Sequence, residues 1–317
     1  LLSTADKLGA VPASQNFAYL RIRPPDQCVI YLDGYLALQG EVAARQVFYN
    51  GTEHAIEIQG VGETNILARS GAVSQTGEFK NQTLAAAAQS LAAPLGIGVM
   101  PFGLPATVPF ERLSVQPGET IWEFIERAGR SIGAMYVDTP GGTLVLGDVT
   151  TPVATTDEVI EGVNIIEARE IIQTLVNYGL AAASSQAPGN DNRSMASAAQ
   201  LFASATGAGI VSPGTIGHII NEIPGFTQQF MQLRAMHDRN IEDGNSIKVW
   251  VSLNGFQKPS GGLWWPLLQN VFIDSPMLLM QQYLRLTKVT FSQDNRGGTR
   301  SQLELSNLAS TKADAPS

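Results

Sequence analysis

The sequence predicts an α+β, β-rich fold in which two β domains bracket a small α/β domain. A helix pattern followed by an apolar strand pattern occurs twice in succession between residues 79 and 146. Short β-prone runs separated by turn residues come before and after this segment. These observations divide the chain into a first β domain at 1–76, an α/β domain at 77–150 and a second β domain at 151–317.

The first β domain is predicted to be an antiparallel meander. Its β-prone runs are short and closely spaced, at residues 28–32, 35–41, 46–49 and 54–59. Asp-Gly at 33–34 and Asn-Gly at 50–51 favour the left-handed dihedrals of two-residue hairpin turns. Alternation puts Ile56 and Ile58 on one face with Glu57 opposite, which is typical of a sheet wetted on one side.

The α/β domain contains the sharpest local signals. Thr120 is a favourable N-cap, and Glu123 three residues later completes a capping box. Apolar residues recur at helical spacing up to Gly133, which can take the left-handed conformation that ends a helix. Two strands within 135–146, joined across a Pro-Gly-Gly turn, then form a hairpin docked against the helix.

The first copy of the repeated pattern predicts a helix from residue 79 to 91 and a strand at 95–99. No charged residue occurs between Lys80 and Glu111, a window long enough for a membrane span of about 20 residues. Four prolines and several glycines would leave backbone groups unpaired in lipid. The window therefore predicts a buried helix and strand followed by a loop lying on protein, without membrane insertion.

The second β domain begins with a predicted connection at 150–157 and one or two strands at 163–180. An Ala/Ser/Gly-rich insertion follows at about 181–221. Such a composition buries little apolar area per residue, which favours mobility or ordering by a neighbouring subunit.

Helical spacing predicts a helix at about 226–239, and alternation of Ile247, Val249, Val251 and Leu253 predicts a strand. Two further strands, at 284–291 and 302–305, flank a turn-rich segment at 294–298.

Composition excludes several functional classes. The chain has 20 basic and 28 acidic residues and a formal net charge of −8, which argues against a general nucleic-acid-binding surface. The single cysteine, Cys28, excludes a disulfide framework within the chain and a cysteine-rich zinc site. Because Cys28 lies in an apolar run, it is predicted to be a small buried hydrophobe.

No catalytic motif is present, and we predict a non-enzymatic protein without a cofactor or a metal. The three histidines are dispersed, and the His218/Glu222 spacing lacks the second histidine of a zinc-protease helix. Neither a complete phosphate-binding loop nor a Gly-x-Ser-x-Gly elbow occurs. The acidic residues Asp138, Asp148 and Asp157 are predicted to be solvated turn carboxylates.

Four residues are candidates for a subunit interface: Trp264, Trp265, Arg285 and Arg296. Large aromatics concentrate in cores and at interface centres, so one ring is predicted to fill the core and the other to contact a neighbouring subunit. The alternative, two core rings, stays open. The arginines either face a neighbouring chain or protect strand edges.

The order and spacing of these elements resemble the phage Mu-type baseplate hub proteins, a family related to the late-control D and tail-hub group. The matching blocks are a series of strands, turns and helix starts at residues 28–42, 54–70, 79–84, 95–99, 162–165, 255–264, 286–291 and 298–305. Together they extend along nearly the whole chain.

The resemblance implies a homotrimer at the base of a contractile tail. Two similar β-barrel domains per subunit would give a ring of six barrels that lets a sixfold tail tube meet a threefold spike. The implied partners are the tail tube protein, the tail spike protein and other baseplate proteins, with genomic DNA passing through without specific binding. The implied location is the virion, after assembly in the host cytoplasm.

Two features depart from that family. The opening strand is missing or replaced at residues 1–13, and the insertion at 181–221 has no clear counterpart.

Two other functions remain open. Residues 115–122 are similar to the opening of a LysM peptidoglycan-binding module, but such a module needs a second helix before its last strand. A cell-wall-degrading tail enzyme would need a carboxylate motif that the sequence does not provide.

Overall fold

The structure, a computed structural model, describes residues 22–52, 54–74, 76–103, 107–148, 153–173, 178–185, 202–206, 212–221, 228–265 and 269–307. The strands of these residues form five sheets. The predicted β-rich α+β class is confirmed. Residues 1–13, where the resemblance predicts that the opening strand is missing or replaced, lie outside the described part.

The first sheet is an antiparallel meander of three strands, β1 (Gln27–Leu32), β2 (Tyr35–Tyr49) and β3 (His54–Gly62). Asp33 and Gly34 have φ values of 48° and 83°, which form the predicted two-residue turn. The sequence predicted two strands where the structure has the single strand β2. A register shift between Val42 and Ala44 marks a β-bulge, which lets the strand continue across the interruption in the pattern. In the described residues these three strands form an open sheet rather than a closed barrel.

The central segment alternates short helices and strands. Its elements are α1 (Ile66–Arg69), β4 (Glu78–Thr83), α2 (Leu84–Ala92), β5 (Val99–Phe102), β6 (Pro109–Ser114), α3 (Ile121–Ile132), β7 (Ala134–Asp138) and β8 (Leu144–Asp148). The strands form a β4-β6 pair and a β5-β8-β7 sheet.

Helix α3 begins and ends where the sequence predicts. The Thr120 amide donates to Glu123 Oε2 at 2.7 Å, and the Glu123 amide donates to Thr120 Oγ1 at 3.2 Å. The bond from the Thr120 amide, together with one that the Thr120 hydroxyl donates to Glu123 Oε2 at 3.0 Å, also holds the pKa of the Glu123 carboxyl below its ordinary value. Gly133 closes the helix with a φ of 72°, and the β7–β8 hairpin follows at once.

The first copy of the pattern differs from its prediction. Residues 78–83 form strand β4 and not the start of a helix, because they pair with β6. The helix begins after Thr83, whose side chain caps it. The predicted strand at 95–99 is displaced to β5, since a 3₁₀ turn (Ala93–Leu95) and Gly96 extend the end of α2. The predicted proline-rich loop thus contains a short edge strand that tolerates Pro101.

The remainder of the chain holds one helix and nine strands in its described residues. They are β9 (Val153–Ile160), β10 (Ile165–Ile172), β11 (Tyr178–Ser185), β12 (Phe202–Thr206), β13 (Ser212–Asn221), α4 (Gln228–Ser246), β14 (Ile247–Asn254), β15 (Gln269–Ser275), β16 (Met280–Asp294) and β17 (Gly298–Ser306).

A six-stranded sheet dominates this part, in the order β10-β14-β17-β16-β15-β9. The predicted alternation in β14 is confirmed, because Ile247, Val249, Val251 and Leu253 are all buried. The predicted connection at 150–157 is wrong from Val153 onwards. Those residues begin β9, which pairs in parallel with β15 more than 100 residues later in the chain. No local pattern can announce such a pairing.

The loop at 255–265 covers the apolar face of the six-stranded sheet with the side chain of Trp264, which is 1% exposed. Asp157 in β9 fixes this loop. The Ser260 amide and hydroxyl each donate to its carboxylate at 2.8 Å, and Lys258 Nζ lies 3.3 Å from Asp157 Oδ2. The prediction of a solvated turn carboxylate is therefore wrong for Asp157, which is buried.

The described parts of the Ala-rich insertion are ordered as strands. They form a β12-β11-β13 sheet whose alanines at 181–183 and 203 are buried, partly against α4. Small side chains let a helix approach a sheet closely, so a stretch poor in large apolar residues can still pack. Residues 186–201 and 207–211 lie outside the described part.

Helix α4 runs seven residues beyond its predicted end and begins at Gln228, while Phe226 lies outside the described residues. A buried ion pair between Arg239 and Asp243 supports the added turns. The Phe230 ring stacks on the ring of Phe110 in β6, with 5.1 Å between the ring centroids. This contact joins α4 to the core of the central segment.

Candidate interaction surfaces

The first sheet exposes apolar side chains on one face of its β2–β3 ladder. Val47 lies opposite Ile56 and Arg45 lies opposite Ile58, so these residues share a face with Tyr49. The predicted grouping of Ile56 and Ile58 is confirmed by this register. Tyr49 is 74% exposed and Val47 is also exposed, whereas both isoleucines are half-buried. We call this surface the Tyr49 face: Arg45, Val47, Tyr49, Ile56 and Ile58.

The six-stranded sheet carries a polar depression on the face opposite its core. The depression is a cavity of about 650 Å³ whose lining includes Glu167, Arg169, Trp250, Asp294 and Arg300. The Arg169 guanidinium lies 5.7 Å from the centroid of the Trp250 ring. Backbone amides of the following turn hold the pKa of Asp294 below its ordinary value. Two carboxylates and two guanidiniums balance one another, so this surface does not favour either sign of ligand.

A smaller crevice of about 260 Å³ lies where α4 meets β7 and the six-stranded sheet. His237 lines it, and burial together with the charges of Arg234 and Arg130 lowers the pKa of this imidazole to about 4. His237 is therefore neutral at physiological pH. Of the three histidines, His237 is the one whose side chain is described.

The four predicted interface residues occupy different environments. Trp264 fills the core, and Arg285 is buried with its Nη1 3.7 Å from Met135 Sδ. Trp265 is half-buried and donates from Nε1 to the Asp138 carbonyl at 2.9 Å, which ties the six-stranded region to β7. Arg296 lies exposed in the β16–β17 turn. The structure does not bring the four together into one surface.

One exposed apolar feature escaped the sequence reasoning. The turn at 276–279, between β15 and β16, exposes Met277 and Leu279 by 82% and 93%. The sequence signal for this exposed turn is weak. It consists of a short apolar run after Pro276, and such a run is equally typical of a buried segment.

Within the described residues, no group of three or more His, Cys, Asp or Glu side chains is placed to hold a metal ion. None of the described helices combines the length and the apolar character that crossing a membrane requires. In the continuous stretch 107–148, α3 leads directly into the β7–β8 hairpin, without the second helix of a LysM module.

Comparisons with known proteins agree on one family. Residues 64–148 match the family described as "Baseplate hub protein gp44-like, second domain". The baseplate hub protein gp44 of Escherichia phage Mu is 24% identical over 294 residues, which span 90% of this chain and 76% of gp44.

Two solved structures share the fold. The 43 kDa tail protein of prophage MuSo2 from Shewanella oneidensis superposes with a TM-score of 0.75 at 21% identity, covering 90% of this chain and 82% of that protein. The tail protein from Neisseria meningitidis MC58 has a TM-score of 0.71 at 18% identity, and the match covers 90% of this chain and 86% of that protein. The resemblance to phage Mu-type baseplate hub proteins that the sequence predicted is confirmed: residues 64–148 match the gp44-like family, and the chain is similar to the Mu baseplate hub protein along most of its length.

Proposed function

We propose that this protein is a non-enzymatic hub subunit that assembles as a homotrimeric ring in the baseplate of a contractile tail. The ring joins the sixfold tail tube to the threefold spike and surrounds the DNA path. Its partners are the tail tube protein, the tail spike protein and other baseplate proteins. It assembles in the host cytoplasm and functions in the virion.

The observation that carries the proposal is the incompleteness of the first sheet. Monomeric proteins cover the apolar face of a sheet and protect its edges, because exposed edges and patches promote association. In the described residues, β1 and β3 end the sheet without a further strand, and the Tyr49 face presents Val47 and Tyr49 to solvent. A neighbouring copy that covers this face would complete the domain.

Two further features support a channel for DNA and a surface for contacts with other proteins. A formal net charge of −8 suits a wall along which phosphates must pass without binding. Of the four predicted interface residues, Trp265 and Arg296 retain accessible surface, so these two stay available for contacts with neighbouring baseplate proteins.

The test is the mass of the full chain in solution, by light scattering after size exclusion and by native mass spectrometry. We expect three times the 33.8 kDa of one chain, with a threefold ring in electron micrographs. A compact monomer at high concentration would contradict the proposal. A ring that retained duplex DNA at physiological salt would contradict the non-binding conduit.

A further inference from the structure

The turn at 276–279, here called the tip, is an ordered apolar projection. Met277 and Leu279 are among the most exposed large apolar side chains of the described residues, while Leu278 between them packs against the core of the six-stranded sheet. The tip follows the last β15–β16 pair, Ser275 with Met280. It therefore lies at the opposite end of β15 from Asn270, whose partner Arg285 contacts β7.

Hydrogen bonds fix the tip in shape. Glu161, in the turn between β9 and β10, accepts from the Ser275 hydroxyl and from the Met277 amide, the latter at 2.9 Å. The Leu279 amide donates to the Pro276 carbonyl at 3.1 Å, and Leu279 adopts a φ of 51°. A leucine in the left-handed region is strained, and such strain is found most often at functional positions. The tip thus combines a rigid apolar end with the carboxylate of Glu161 beside it.

The Tyr49 face has the complementary chemistry. Arg45 lies two residues before Val47 and four before Tyr49, so it shares their face. Arg45 is half-buried, and its Nε has no hydrogen-bond partner among the described residues. None of the ion pairs between described residues involves its guanidinium. A partly buried guanidinium without an acidic neighbour favours an incoming carboxylate. In the described part of the chain, the face therefore offers apolar side chains around a cation without a carboxylate partner.

We propose that the tip of one copy docks on the Tyr49 face of the next copy, with Glu161 meeting Arg45. This inference rests on the proposed function and names the two surfaces that build the ring. The two surfaces are different parts of one chain, so the contact is heterologous and propagates around a ring instead of closing a twofold dimer.

The tip acts as an anchor within a larger contact. A stable interface buries about 800 Å² on each partner, which two side chains cannot supply. Central apolar residues surrounded by weaker contacts dominate the binding in most interfaces. Met277 and Leu279 are suited to that central role, and the rest of the first sheet supplies the surrounding area.

The test uses two variants of the full chain and two matched controls. Met277→Ser/Leu279→Asn removes the apolar tip, and asparagine tolerates the left-handed backbone at 279. Val47→Ser/Tyr49→Ser removes the apolar centre of the Tyr49 face. Phe48→Ser alters an exposed residue on the opposite side of the same strand, and Val73→Ser alters an exposed valine elsewhere. Circular dichroism melts establish that each variant is folded.

Native mass spectrometry at micromolar concentration should show monomers for each double variant and trimers for the wild type and both controls. A mixture of the two double variants should give dimers, because one intact tip and one intact face remain in each pair. Arg45→Met should weaken association at least tenfold at low salt and remove most of its salt dependence.

The outcomes separate the two proposals. A monomeric wild type contradicts the proposed function, and the inference fails with it. A trimeric wild type with a trimeric tip variant overturns the inference alone. Dissociation of the face variant without dissociation of the tip variant means that another surface covers the Tyr49 face, which also overturns the inference. A mixture that forms no dimers does the same.

Discussion

The first sheet and the six-stranded sheet differ in how each covers its apolar face. The six-stranded sheet is covered by its own loop at 255–265, which carries Trp264 and is fixed by Asp157. The first sheet leaves Val47 and Tyr49 exposed in the described chain. Both sheets show alternating strands, so the strand pattern alone does not distinguish them.

The difference shows what sequence alternation specifies. Alternation determines which side chains share a face, because successive side chains point to opposite sides of a strand. It does not determine what lies over that face. For β14 the cover is a loop of the same chain, whereas we assign the cover of the first sheet to another copy.

The largest expected effect is that of Trp264→Ala, which opens the core of the six-stranded sheet. Removal of a fully buried large aromatic side chain should lower the free energy of unfolding by about 3–5 kcal/mol. Trp264→Phe should cost much less, since the buried indole N–H has no hydrogen-bond partner among the described residues. Urea denaturation followed by circular dichroism measures both variants.

The control for Trp264 is its neighbour, Trp265→Ala, which removes a half-buried ring and one hydrogen bond to Asp138. Its cost should stay clearly below that of Trp264→Ala. Equal losses for the two tryptophans would show that the loop does not form the cover described here.

Asp157→Asn should release the loop from the sheet. The amide can still accept from Ser260, but its NH₂ group faces donors, and the charge opposite Lys258 is lost. Hydrogen bonds to a charged group contribute about 1.5–3 kcal/mol each, so a loss of roughly 2–3 kcal/mol is expected in urea denaturation. The matched control is Asp274→Asn, because the Asp274 carboxylate receives, from the described residues, a single 3.5 Å bond donated by Gln281. Similar losses in both variants would contradict the role of Asp157.

The pH dependence of the free energy of unfolding tests the packing of α4 against the six-stranded sheet at His237. The pKa of His237 is lowered to about 4 in the folded chain from an ordinary value of 6.5. Above pH 6.5 the imidazole is neutral in both the folded and the unfolded chain, so its full contribution to the free energy of unfolding is present. Between pH 6.5 and 4 the unfolded imidazole binds a proton that the folded one does not, so stability falls as pH falls, by about 3 kcal/mol at most.

The measurement for His237 is the difference between wild type and His237→Gln in unfolding free energy at pH 7 and pH 4.5. Carboxylates titrate in the same interval but cancel in this difference. The variant should lose less stability than the wild type on acidification. Parallel curves would mean that His237 is not buried as a neutral group.

Local signals were sufficient for the parts of the fold that depend on neighbouring residues in the chain. The limits of α3 followed from Thr120, Glu123 and Gly133, since caps and a glycine stop act within one turn of helix. The hairpin turn at 33–34 followed from an Asp-Gly pair for the same reason. In both cases the determining hydrogen bonds or dihedrals lie within a few residues.

Features that depend on distant pairing could not be predicted in this way. Strand β9 is a strand because β15 pairs with it, and Asp157 is buried because Ser260 and Lys258 reach it from another loop. The sequence left open which of Trp264 and Trp265 is in the core, since the answer depends on where that loop lies. The interaction surfaces were the hardest to predict, because the exposure of Met277 or Tyr49 is a property of the whole fold.

The smallest expected effect provides the most direct comparison of the two sheets, because one substitution can be made in both. Val47 in β2 is 46% exposed, whereas Val251 in β14 is fully buried between Ala168 and Leu303. In the dissociated chain, Val47→Ala should change the free energy of unfolding by less than about 0.5 kcal/mol, and Val251→Ala should lower it by roughly 1.5–3 kcal/mol. Both are measured by urea denaturation at one protein concentration, below that of ring assembly. A loss at Val47 as large as that at Val251 would mean that the Tyr49 face is covered within its own chain, and the need for a neighbouring copy would disappear.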